Sequence, residues 1–464
     1  MLKKYFITSV TGFLLMALFA ADGLSQPSDY QRLVFQNNQP NIYVDVISLP
    51  GNSENTVQLT TIFRLNNNFL PFKKTGGNDG KDGYLGAASL SIEVFKSPKK
   101  GLKPEKQVDV EGLESIGRAS WQDTAFVESY EQTQSKSLSL SGSMQVEVEP
   151  GYYTYLLNLK RTAGNKGQNS QTRNIHLKPY SSQQNGDILL IKNVDDIASP
   201  SQLEFSNRGS NITYGEDFYA LIHMPDFNEN EQYSVNINQI KVADEDTSMV
   251  KSMTKIDINQ DDIIRNIQPK LVNNTQNISL KLNKNGTHNY ALVKIPNKSF
   301  PNAIYRIAVR NKGNQSVIAQ NVFQSYWADI PASLLSLDVA IDMLRYIADE
   351  ETIDKIDDGS DASRERKFRA FWKEKDPTPE TEFNELQAEY YSRIDYAYKN
   401  FGSKGRSGFE TDRGEVYINF GKPNDTERTF PTDGATTEVW TYNNRKFVFK
   451  ATSGFGNFRL VSQN

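Results

Sequence analysis

The sequence predicts a mainly β protein with an α+β C-terminal part: two immunoglobulin-like β-sandwiches, then a helical segment and a small antiparallel sheet. Three observations carry that expectation. From residue 42 to about 325, short runs of β-branched and aromatic residues alternate with clusters of Gly, Pro, Asn and Asp, the pattern of strands and turns. After Trp327 the apolar residues recur three or four apart, the spacing of a helix face. Beyond Gly414 the alternation returns. A chain of 464 residues is also longer than one hydrophobic core organises, so several domains are expected.

Residues 26–182 are expected to form the first sandwich. Its clearest strands are 42–47, 57–65 and 90–95. Strand 144–149 runs into Pro150-Gly151, a turn signal that makes 152–159 its partner. Two polar insertions, 73–83 and 163–173, read as loops. Residues 183–326 form the second sandwich, with strands at 188–191, 218–222, 290–295 and 305–310; segment 244–276 fits strand or short helix. Residues 327–464 form the third part. Leu337, Ile341, Leu344 and Ala348 mark one helix, and 364–375 a second, stopped by Pro377 and Pro379. A third opens at Glu380 or Thr381, carries Phe383, Leu386, Tyr390, Ile394 and Tyr398 on one face, and ends at Gly402 and Gly405. The small sheet is expected from 415–420, 438–442, 445–450 and 455–461, with Asn443-Asn444 as a hairpin turn.

The N-terminus has the layout of a secretory signal peptide over residues 1–25. Lys3 and Lys4 make the charged start, 6–21 the apolar stretch and Gly23-Leu24-Ser25 the cleavage region, leaving Gln26 first in the mature chain. No later apolar run is long enough to span a bilayer. The chain has no Cys, which excludes disulfides, a thiolate nucleophile, Cys-ligated zinc and a lipid-modified N-terminal Cys. Export without disulfides fits the envelope of a Gram-negative bacterium, with the periplasm as the default destination. A net charge of -4 offers no basic footprint for nucleic acid.

The C-terminal part carries five motifs in order: Leu344-Arg345-Tyr346-Ile347-Ala348; Phe371-Trp372-Lys373-Glu374-Lys375-Asp376-Pro377-Thr378-Pro379; Glu389-Tyr390-Tyr391-Ser392-Arg393-Ile394-Asp395-Tyr396-Ala397; Gly408-Phe409-Glu410-Thr411-Asp412-Arg413-Gly414; and Gly421-Lys422-Pro423-Asn424-Asp425. Over roughly residues 330–464 their order and spacing resemble the GWxTD domain family, named for its Gly-Trp-x-Thr-Asp signature. Phe409 stands where the signature has Trp, so an aromatic anchor is kept without an indole N–H. The family's biochemical role is poorly defined. The resemblance therefore implies an architecture and a surface rather than an activity.

That surface comprises Asp376, Thr411, Asp412, Arg413, Asn424 and Asp425. Asp376, before Pro377, is placed to accept backbone N–H groups at a helix stop. Asp412 is expected to cap the turn into strand 415–420, and Arg413 to form a bidentate pair with Asp376 or Asp425. As structure, these residues hold helix to sheet. As function, they make a polar groove for a ligand or partner, or a catalytic carboxylate pair. No catalytic, cofactor-binding or metal-ligating residue is assigned. The three His (His176, His223 and His288) lie outside the C-terminal part. There is no Gly-x-Ser-x-Gly elbow, His-Glu-x-x-His pair or phosphate-binding loop. Asn78-Asp79-Gly80-Lys81-Asp82-Gly83 invites a calcium reading but lacks the EF-hand spacing and its bidentate Glu, and reads as a polar loop. Asp354, Asp357, Asp358 and Asp361 around Gly359 read as a solvated helix end. Trp327, Trp372 and Trp440 are expected in cores.

The expected function is that of an exported envelope protein: a non-enzymatic binding or scaffold module that docks another envelope component, protein or glycan, through its C-terminal domain. The alternative is a carboxylate-dependent hydrolase or lyase acting on an envelope polymer through Asp376, Asp412 or Asp425. The scarcity of His and absence of Cys favour the first. Two of these acids converging in an apolar cleft would favour the second. A buried Arg413 pair against the sheet would count against it.

Overall fold

The computed structural model describes residues 30, 33, 41–75, 82–161, 168–180, 187–225, 227–243, 246–273, 277–403, 406–432, 434–453 and 457–463. The expected signal peptide and most of the Asn78–Gly83 loop lie outside the described residues. Two compact units emerge, Pro40–Trp327 and Ala328–Asn464, with Tyr30 and Leu33 grouped in the second. Among the described residues no helix is long and apolar enough to cross a membrane.

The first unit is built of strands. Its first half contains β1 (Ile42–Pro50), β2 (Val57–Asn66), β3 (Lys73–Thr75), β4 (Gly83–Lys96), β5 (Ser115–Val127), β6 (Ser139–Val148), β7 (Gly151–Arg161), β8 (Gln168–Asn169) and β9 (Arg173–Leu177). One sheet has the order β1-β2-β6; the other joins β3, β4, β5, β7, β8 and β9. Leu59, Phe63, Ile92 and Val94 pack between them in one core. Central β2 is buried along most of its length, which is why its sequence alternates so weakly. The Pro150-Gly151 turn does not close a hairpin. β6 pairs with β2, whereas β7 pairs with β4 and β9, so the turn passes the chain from one sheet to the other. β5 pairs with β4 over its whole length. Its outward Arg118, Ser120, Gln122 and Thr124 are polar and its inward face is broken by Gly117 and Asp123, so it shows no clean apolar alternation.

The second half contains β10 (Ile188–Val194), β11 (Gln202–Phe205), β12 (Asn211–Thr213), β13 (Phe218–His223), β14 (Tyr233–Ala243), β15 (Asp246–Ile258), β16 (Ile263–Asn273), β17 (Ile278–Lys284), β18 (His288–Ile295), β19 (Ile304–Asn311) and β20 (Val317–Tyr326). One layer closes on itself in the order β10-β11-β17-β16-β18-β13, and the other is β12-β20-β19-β14-β15. Phe218, Ile222, Val293 and Ile295 of the closed layer pack on Val235, Ile237, Tyr305 and Phe323 of the open one. The ambiguous segment 244–276 holds strands β15 and β16, joined through a 3-10 turn at Gln260–Asp262. Trp327 is half-buried beside Tyr214 at 5.6 Å between ring centres.

The second unit contains α1 (Leu337–Asp342), α2 (Glu350–Asp357), α3 (Asp361–Lys373), α4 (Glu385–Phe401), α5 (Asp412–Phe420), β21 (Asp425–Thr429), β22 (Thr437–Tyr442), β23 (Arg445–Ser453) and β24 (Asn457–Gln463). The strands form an antiparallel sheet in chain order. Asn443-Asn444 closes the β22–β23 hairpin, with Tyr442 opposite Arg445. The long first helix expected through Ala348 tightens after Asp342 into a 3-10 turn, Met343–Tyr346. Helix α4 starts later than Glu380, because Asn384 caps it by accepting from the Gln387 N–H at 2.9 Å. Its buried face is Tyr390, Tyr391, Ile394, Ala397 and Phe401, while Leu386 is 46% exposed. Trp372 and Trp440 are both in the core.

The largest correction falls at 415–420, which is the body of helix α5 and not a strand. Val416, Tyr417 and Ile418 are consecutive and all buried; a short apolar run of this kind looks the same in a buried helix as in a strand. The local decision is made upstream by Thr411. Its Oγ1 accepts from the Gly414 N–H at 3.1 Å, an N-cap that starts a helix. The missing fourth strand is β21, whose five side chains are all exposed and so lack alternation.

Candidate functional site

Helix α5 is seated by its first residues. A Cβ on Gly408 would lie 1.9 Å from the Ala397 carbonyl oxygen of α4, and one on Gly414 would lie 1.9 Å from the Gly408 carbonyl oxygen. Both positions therefore demand Gly for close backbone approach. Thr411 is buried, caps α5, and donates its hydroxyl to the Gly408 carbonyl at 2.8 Å. Asp412 occupies the first turn of α5, where the helix dipole favours an anion. It does not cap a strand. Its Oδ2 accepts from the Leu460 backbone N–H of β24 at 2.8 Å, and Oδ1 lies 3.4 Å from the Arg459 guanidinium.

Arg413 points into the sheet and pairs with neither Asp376 nor Asp425. Its Nη1 lies 3.4 Å from Glu438 Oε2 of β22, and the two side chains are 8% and 3% exposed. Glu438 also accepts from Arg428 Nε at 2.9 Å and from the Trp440 indole N–H at 2.6 Å. The Arg413 guanidinium lies over the Phe458 ring at 4.3 Å and the Phe401 ring at 5.3 Å. Burial pulls its pKa down from the usual value, opposed by the Glu438 charge. Helical rather than extended backbone at 412–420 explains the change of partner. It turns Arg413 toward β22 and away from the loops.

The remaining candidates lie elsewhere. Asp376 accepts from the Thr378 N–H at 2.9 Å in the turn after α3, as expected of a helix stop. Asn424 joins the Asn443 turn at 2.9 Å, and Asp425 accepts from the Thr426 N–H at 2.9 Å at the exposed start of β21. Thr411, Asp412 and Arg413 therefore form one helix-to-sheet clamp, while Asp376, Asn424 and Asp425 each serve local turns. The acidic run at the α2–α3 junction is exposed, as expected, with Arg364 drawing Asp357 and Asp361 together with Asp338.

Two carboxylates escaped the sequence reading. Glu438 stands where the alternation of β22 requires an inward apolar residue, two before inward Trp440; a charge on an inward position was the available signal. Asp395, on α4, accepts from the Ala332 N–H at 2.6 Å, the Ser333 N–H at 3.2 Å and the Ser333 hydroxyl at 2.8 Å. It also accepts from the Tyr30 hydroxyl at 2.6 Å. Tyr30 is 5% exposed, and its ring meets Tyr398 at 4.5 Å and Phe409 at 5.4 Å, both edge-on. Burial first, and Asp395 second, push the phenol pKa well above its usual value. No pattern in the sequence links residue 30 to residue 395.

The His residues belong to the first unit. His176 stacks on Tyr152 at 3.9 Å. His223 and His288 meet edge-on at 5.5 Å beside Tyr180. Among the described residues no group of three or more His, Asp or Glu is arranged to hold a metal ion.

No curated protein matches the chain. Among solved structures, that of red sea bream transglutaminase aligns at 9% identity over 65% of this chain, with a TM-score of 0.17. The aligned part spans 34% of that chain, and so low a score informs neither fold nor function. Residues 304–460, from β19 to β24, match the model of the GWxTD domain. The matched region supplies the clamp just described: Gly408 and Thr411 seat α5, Phe409 stands at the Trp position, and Asp412 reaches the sheet. The C-terminal region of this chain is a GWxTD domain.

Proposed function

We propose that this is an exported protein of the bacterial envelope, periplasmic by default, that works as a non-enzymatic binding module. It docks an extended segment of another envelope protein through its C-terminal domain. The observation supporting this reading is the asymmetry of the small sheet's two edges. At β24, Asp412 takes up the Leu460 N–H, and helix α5 packs beside the strand. At β21, Asp425, Thr426, Glu427, Arg428 and Thr429 are all exposed, and among the described residues no strand pairs on the outer side. Phe430, next to β21, is 64% exposed. An open polar edge with one apolar anchor is suited to adding a strand from a partner, with main-chain bonds for affinity and Phe430 for selectivity. The Asp412 and Arg413 side chains are committed to β24 and β22, which leaves them holding the sheet in place behind that edge.

The absence of Cys makes a direct test clean. A single Cys replacing Glu427 carries a photo-crosslinker in cells, beside a control with the Cys replacing Glu351 on α2. The expected result is one adduct of defined mass from position 427, absent at position 351 and lost when Phe430→Ser is added. Equal adducts from both positions, or none from 427, would overturn the reading.

A further inference from the structure

Tyr30 enters a seat that the C-terminal unit builds without it. Asp395 is already fixed by three donors of that unit, two backbone N–H groups and the Ser333 hydroxyl. Tyr398 and Phe409 stack at 5.9 Å, and the Tyr346 hydroxyl holds the Phe409 carbonyl at 2.6 Å. The corner thus offers a preset anionic acceptor beside two aromatic walls. A buried tyrosyl group bonded to a carboxylate is the kind of anchor that dominates binding interfaces. Leu33, three residues on, is half-buried. Tyr30 and Asp395 are 365 residues apart. Their contact is therefore a docking event between distant parts of one chain, with a strength that depends on effective concentration.

We infer that this corner is a binding site for a tyrosyl-bearing segment. It is filled in cis by Tyr30 and is open to Tyr30 of a second copy of this chain. The identical segment is complementary by construction, and exchange of an identical element between copies needs no new contacts. The Asp395 carboxylate selects Tyr over Phe, and the Phe409 wall gives the signature aromatic a recognition role. The inference is independent of the β21 edge.

The test uses the full-length chain and a fluorescent peptide of residues 26–39. Tyr30→Ala empties the seat. The variant should bind the peptide at least about tenfold more tightly than the unaltered chain, whose own Tyr30 competes. A peptide with Phe for Tyr30 should bind at least about tenfold more weakly, for loss of a hydrogen bond to a charged acceptor. Equal binding to both chains, with the variant's melting retained, overturns the inference; so does equal binding of the Tyr and Phe peptides. If Tyr30→Ala fails to fold, the Tyr30→Phe chain keeps the ring and replaces it in the comparison. It should bind the peptide more tightly than the unaltered chain, and equality again overturns the inference.

Discussion

Two buried polar clusters in this chain are built on opposite principles. In the C-terminal unit, Glu438 receives Arg413, Arg428 and the Trp440 indole, so each buried charge meets an opposite charge or a donor. In the β unit, His223 is 1% exposed and, among the described residues, neither ring nitrogen has a hydrogen-bond partner. Its ring lies between Tyr180 at 4.3 Å and Tyr290 at 5.3 Å, whose hydroxyls bond to each other at 3.0 Å. Burial, and then His288, hold the His223 pKa down at about 3. One cluster is stable because its charges are answered, the other because it carries no charge. The first ties a helix to a sheet; the second only fills a core. A buried ionisable side chain can therefore be an attachment or a packing unit, and its partners decide which.

The largest effect expected from this contrast is at Glu438. Glu438→Ala leaves Arg413 buried without its counter-charge, at a cost of about 3–5 kcal/mol. The double variant Arg413→Met, Glu438→Leu removes both charges and should recover most of that loss. Thermal unfolding followed in the C-terminal unit checks both. A single-variant loss under about 1 kcal/mol would break the contrast, because the Arg413 charge would then not need its partner.

The next effect is a pH dependence confined to the β unit. In the unfolded chain an imidazole takes up its proton near pH 6.5, whereas buried His223 stays neutral until about pH 3. Between those values the unfolded state binds more protons, so stability falls as pH falls, by up to about 1.4 kcal/mol per pH unit. His288 is also held down by burial and works in the same direction. Asp187 is held above the usual carboxylate value by burial, protonates first in the fold, and so adds stability as pH falls. His223→Phe leaves His288 and Asp187 in place and isolates one ring. Between pH 6.5 and 4 the variant should lose about 2–3 kcal/mol less than the unaltered chain. Parallel pH curves would show that His223 is hydrated or partnered in solution.

Much of this was legible in the sequence, for identifiable reasons. Alternation in β4, turn chemistry at Asn443-Asn444 and the change of period after Trp327 are local signals, and the fold class follows from them. The motif order located the C-terminal domain, and Thr411, Asp412 and Arg413 were singled out within it. The partners of Asp412 and Arg413 were not legible, because Leu460 and Glu438 are brought to them by tertiary structure. The error at 415–420 shows the limit of periodicity. Three consecutive buried residues carry no period, and the Thr411 cap and the two glycines outweigh the alternation of Val416, Ile418 and Phe420. Strands β5 and β21 escaped for other reasons: the inward face of β5 mixes Gly117 and Asp123 with Ala119, Trp121 and Ala125, and β21 has no buried face at all. The Tyr30–Asp395 contact leaves no trace in spacing at all.

The smallest effect is the sharpest test of the intermediate case, the Tyr30 seat, where one carboxylate meets an uncharged aromatic cluster. Phe409 is 6% exposed, bounded by Tyr30 and Tyr398, with the Arg345 guanidinium 5.6 Å above its ring. Phe409→Trp restores the signature aromatic but overfills this corner, at a cost of about 1 kcal/mol. In a Tyr30→Ala background the indole can spread into the space left by the phenol, and the cost should vanish. Four melting curves close the double-mutant cycle, with a coupling of about 1 kcal/mol expected. A coupling of that size means that the smaller aromatic at 409 accommodates Tyr30, so the departure from Trp and the docked segment form one adaptation. Additivity means that Tyr398 and the turn at Gly408–Glu410 alone set the size of residue 409. The seat would then tolerate either ring, and its selectivity would rest on the Asp395 carboxylate alone.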